Sequence, residues 1–66
     1  MFKAGQQVSV TSGQFAGLDG RVFVDQTGRL VNVTLRKRTM ITRTTYRWCY
    51  GQRMIDPLRL AVKEGN

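Results

Sequence analysis

A two-residue alternation of side-chain character constrains this chain most. Val8 and Val10 alternate with Gln7, Ser9 and Thr11. Val22 and Val24 alternate with Arg21, Phe23 and Asp25, and Val31, Val33 and Leu35 alternate with Asn32 and Thr34. Successive side chains on a strand point to opposite faces, so this pattern describes strands with one buried face. Valine and threonine suit such a half-buried pleat. Gly13, Gly17 and Gly20 punctuate the first gap, and Gln26, Thr27 and Gly28 read as a hairpin tip in the second.

The alternation continues from Thr39 to Tyr50, with Met40, Thr42, Thr44, Tyr46, Trp48 and Tyr50 in one parity. That run is long for a strand in a small domain, so a bend, bulge or loop is expected inside it. Trp48 is the expected centre of the core, because a small barrel needs large side chains. Cys49 is expected as a small buried hydrophobe. Gly51 and Gln52 break the pattern, and Met54 and Ile55 are expected to begin a last short strand. Asp56 followed by Pro57 reads as a helix cap with proline at the first helical position, so one helical turn is expected over 57–60.

These readings give a fold class: all-β, a single domain over 1–66, a small closed barrel of four to five antiparallel strands with 61–66 as a flexible tail. With 66 residues the core is thin, worth about 3–5 kcal/mol of net stability.

Charge narrows the chemistry. Residues 1–28 are neutral overall, whereas residues 29–66 hold nine cations against Asp56 and Glu64, a net of +7. From Arg36 to Arg53 there are six basic residues and no acid. Such a field attracts polyanions. The single cysteine cannot form an internal disulfide, and histidine is absent. The four acids are scattered, with no catalytic couple, phosphate loop or metal cluster, so a non-enzyme without cofactor or metal is expected. No apolar run reaches transmembrane length and no signal-peptide core is evident, so the expected setting is the cytoplasm, off the membrane.

The segment from Gly5 to Val24 sets Gly5, Val8, Val10, Gly13, Gly17, Gly20 and Val22 in fixed order, with Phe15 between two glycines. It resembles the KOW motif, the strand–loop–strand element of certain ribosomal proteins and of the NusG family of bacterial transcription elongation factors. The stretch from Gly13 to Gly20 is closer to the NusG version, and it lacks the loop lysines of the ribosomal versions. The match covers about a third of the chain. The resemblance implies an SH3-like barrel that binds RNA or a protein of the transcription or translation machinery, and no catalytic residue. Phe15 is expected to fold back as an anchor for its loop.

The candidate nucleic-acid contacts are Arg36, Lys37, Arg38, Arg43, Arg47, Arg53 and Tyr46. Arg36, Lys37 and Arg38 are expected in a turn, where adjacent cations fan out toward different phosphates. Arginines beside aromatics suit single strands, with cations on phosphates and rings on bases. These cations are expected to converge on one outer wall of the barrel. RNA is preferred to DNA on the resemblance alone. A second reading is a protein-docking adaptor, engaging RNA polymerase, Rho or a ribosomal protein, with Phe15 and Tyr50 as docking candidates. A third is an oligomer that encloses a site between subunits; the expected state is a monomer.

Overall fold

A computed structural model describes residues 1–63. It is all-β: β1 (Gln7–Val10), β2 (Asp19–Val22), β3 (Val31–Met40), β4 (Tyr46–Ile55) and β5 (Leu60–Val62), with a 3-10 turn at Pro57–Arg59 before β5. The strands form one antiparallel sheet in the order β4-β3-β2-β1-β5.

One face of this sheet makes the core: Val8 and Val10, Val22, Val31, Val33 and Leu35, then Ile55 and Leu60. The alternation of β1 and of the first half of β3 therefore does what its pattern requires. Val8 stands opposite Gly20, and Gly20 opposite Leu35, so these three share the inner face. A β-carbon on Gly20 would lie 2.6 Å from the Thr34 carbonyl oxygen and 2.8 Å from Val33 Cγ1. Only the absence of a side chain lets β2 approach β3 this closely. Gly17 turns the preceding loop at φ 91°, a left-handed conformation that glycine adopts without strain. Phe15 and Leu18 of that loop, together with Phe2, pack against the core, so Phe15 anchors the loop as expected.

The expected closed barrel is not what forms. The sheet curls but stays open, because β4 and β5 lie at its opposite edges. Edges four strand spacings apart would sit about 19 Å apart in a flat sheet. Asp56 and the 3-10 turn alone connect them, and a 3-10 turn advances only about 2 Å per residue, so the sheet must bend. All three residues of β5 pair with β1, Leu60 opposite Val10 and Val62 opposite Val8, and among the described residues none of β5 pairs with β4. The turn is capped as its sequence implies: the Leu58 N–H donates to the Asp56 carboxylate at 2.9 Å, with Pro57 first in the turn.

Four other expectations are corrected. Met54 and Ile55 end β4 instead of beginning a strand, because pairing runs without a break through Gly51 opposite Leu35 and Gln52 opposite Thr34. Ala61 and Val62, read as tail, belong to β5, and the Lys63 N–H donates to the Gln7 carbonyl at 2.8 Å; 64–66 lie outside the described residues. Val24 falls beyond the end of β2 and is exposed. Arg36, Lys37 and Arg38 are not in a turn: they lie mid-strand in β3, paired with Tyr50, Cys49 and Trp48.

Candidate functional site

The site follows from a mismatch of strand lengths. β3 and β4 are ten residues each, whereas β2 has four. β2 covers β3 only from Val33 to Arg36. Beyond Arg36 the hairpin has no third strand beside it, and every residue from Arg36 to Tyr50 is exposed. The result is a two-stranded arm projecting from the curled sheet, in a molecule measuring 41 × 26 × 18 Å.

The arm closes over Ile41–Thr45, the interruption expected within the long run. The Ile41 N–H donates to the Thr45 carbonyl at 2.8 Å. Thr42 Oγ1 accepts from the Thr44 and Thr45 amides at 3.3 and 3.1 Å. A threonine hydroxyl thus organises the tip in the manner of a local side-chain turn. Arg43 sits at this tip.

Register assigns each remaining residue to a face. Arg36 stands opposite Tyr50, Arg38 opposite Trp48 and Met40 opposite Tyr46, and opposed residues share a face. The Arg36 guanidinium lies 4.6 Å from the Trp48 ring centroid, and that of Arg38 lies 4.4 Å from the Tyr46 ring centroid. Each arginine therefore stacks on the diagonal ring and not on its direct partner. Trp48 and Tyr46 are each 47% exposed and Tyr50 is 66% exposed.

The opposite face carries Lys37 beside Cys49 and Thr39 beside Arg47. The Thr39 hydroxyl donates toward Cys49 Sγ at 3.5 Å. This face continues to the arm's base, where the Arg53 guanidinium lies 5.4 Å from the Phe15 ring centroid and donates to the Gln52 carbonyl at 2.8 Å. A shallow cleft there is lined by Phe15, Lys37, Cys49 and Arg53.

The expected single cationic wall is therefore corrected. Arg36 and Arg38 occupy one face, Lys37, Arg47 and Arg53 the other, and Arg43 the tip. Alternation forces this division, because adjacent cations on an extended strand emerge on opposite sides. Trp48 is not the core and Cys49 is not buried. Both lie where β3 and β4 have outrun β2 and outside the core cluster, and Trp48 stays 47% exposed even with the Arg36 guanidinium over its ring. Trp48 is the residue that the sequence reading missed as a surface group. The available signal was its setting, with Arg43, Arg47 and Arg53 as the nearest charges and no acid among them.

None of the six cations from Arg36 to Arg53 forms an ion pair among the described residues. The carboxylate nearest in register, Asp19 opposite Arg36, already accepts from Lys63 Nζ at 2.5 Å and from the Ser9 hydroxyl at 2.9 Å. The Lys63 bond, then that of Ser9, holds the Asp19 carboxyl below its ordinary value, and Arg36 adds to the effect. The arm thus presents uncompensated positive charge beside exposed aromatic surface, a chemistry suited to polyanions. Among the described residues there is no cluster of three potential metal ligands and no helix long and apolar enough to cross a membrane. In comparisons with known proteins, no family model, no curated protein and no solved structure matches the chain.

Proposed function

We propose that the chain is a non-catalytic nucleic-acid-binding module of the cytoplasm, acting in transcription or translation, with the β3–β4 arm as its contact. The observation that carries this reading is the charge of the arm and its base: six cations from Arg36 to Arg53, none in an ion pair among the described residues. Phosphate contacts need little more than such cations held in fixed relation. The stacks of Arg36 on Trp48 and Arg38 on Tyr46 supply that fixity, because a guanidinium restrained by a ring loses less side-chain freedom when it meets a phosphate. Tyr50, with no arginine over it, is the ring most open to a stacked base. RNA is the preferred partner on the KOW resemblance of Gly5–Val24.

Fluorescence anisotropy with a labelled single-stranded RNA, from low to physiological salt, tests the reading. Engagement of about five phosphates gives a slope of log affinity against log salt near −3.5. No binding at low salt, or a flat salt dependence, contradicts it. In that case a nuclease-treated pull-down that retains one stoichiometric protein supports the adaptor reading instead.

A further inference from the structure

The arm is one hairpin thick, and its cations divide between its two faces. Arg36 and Arg38 leave one side, flanked by Tyr46, Trp48 and Tyr50. Lys37 and Arg47 leave the other, as diagonal neighbours across the strand pair. Every one of these residues is exposed, and β2 pairs with β3 no further than Arg36, so the arm beyond it is a strand pair only. A binding surface for one strand needs cations on one face only. Here a strand occupying the first face leaves Lys37 and Arg47 on the second exposed and, among the described residues, outside any ion pair.

We infer that the arm bridges two nucleic-acid strands, one on each face. The inference rests on the nucleic-acid reading above and deepens it. Two phosphate backbones held on either side of a strand pair lie at least the spacing of stacked sheets apart, about 10 Å. That exceeds the screening length of about 8 Å at physiological salt, so their mutual repulsion is weakened. The cations between them weaken it further. The two faces are chemically unequal. The Arg36–Arg38 face has rings for bases and holds a strand by stacking as well as charge. The Lys37–Arg47 face offers a hydroxyl, a thiol and point charges, and binds backbone alone, with the steeper relative loss in salt.

The experiment uses the full chain and two non-complementary RNA oligonucleotides, one carrying a donor dye and the other an acceptor. Wild-type protein produces energy transfer when strands are in excess, and the transfer fades when protein is in excess, as each strand acquires its own arm. K37Q/R47Q and R36Q/R38Q each still bind one strand by anisotropy, with affinity lowered several-fold, and each loses most of the transfer. Binding without transfer by the wild-type chain overturns the inference and leaves the nucleic-acid reading standing. Transfer by K37Q/R47Q equal to that of wild type also overturns it, because the bridge would then arise from two protein copies. Failure of the wild-type chain to bind one strand removes the nucleic-acid reading, and the bridge with it. Both substitution pairs lie on exposed positions, and an unchanged circular-dichroism spectrum separates lost bridging from lost folding.

Discussion

The Arg36 guanidinium stacks 4.6 Å from the Trp48 ring centroid although its direct partner across the hairpin is Tyr50. Arg38 repeats the offset, facing Trp48 but stacking on Tyr46. The face is therefore a ladder of diagonal contacts, which ties the cations of β3 to the rings of β4 along the length of the arm.

Replacing Trp48 with alanine tests where this residue acts. A core tryptophan lost to alanine costs about 3–5 kcal/mol, enough to unfold a domain of this size. An exposed cation–π contact is worth about 0.5–1 kcal/mol. The expected outcome is a urea midpoint shifted by little, with RNA affinity reduced about two- to fivefold through the loss of the Arg36 stack. Tryptophan emission in the wild-type chain is that of a partly solvated indole and shifts when RNA is added.

Gly20→Ala behaves oppositely. The new methyl group meets the Thr34 carbonyl oxygen at 2.6 Å and Val33 Cγ1 at 2.8 Å, and the backbone oxygen cannot turn aside. Overpacking of this kind costs about 1–3 kcal/mol. Chemical denaturation should show the loss. RNA affinity, measured at a temperature where the variant is still folded, should stay close to that of wild type.

Acid weakens the fold through Asp19. Its carboxyl is held below the ordinary value by Lys63, then Ser9. A depressed folded value means that the ionised form favours the folded state. This contribution is present above the unfolded value of about 3.9 and lost as pH falls through the folded one. The side chain is a third exposed, so solvent limits the effect to about 1 kcal/mol or less. Asp19→Asn should flatten the acid limb of a stability-versus-pH curve below about pH 4 and lower stability slightly at neutral pH.

The core strands were legible in the sequence, and the arm was not. Val8, Val10, Val31, Val33 and Leu35 alternate with polar residues because one face of their strands is buried and the other is wet. The Asp56–Pro57 cap was legible because it depends on neighbours in sequence alone. The arm carries no such contrast, since both its faces meet water. Tyr46, Trp48 and Tyr50 favour strands whether covered or not, so their alternation resembles that of a core. Gly51 interrupts the pattern without interrupting the ladder, which hid the continuity of β4. What decides these points is how far β2 extends beside β3, a long-range fact set by the pairing of Asp19 with Arg36.

The most direct measurement is a two-dimensional amide spectrum of the labelled chain titrated with single-stranded RNA. The arm as contact predicts shifts concentrated in residues 36–50, including the Trp48 indole N–H, with the amides of β1 and β5 unmoved. Shifts confined to β1, β5 or the loop around Phe15, with the arm silent at saturation, would contradict it.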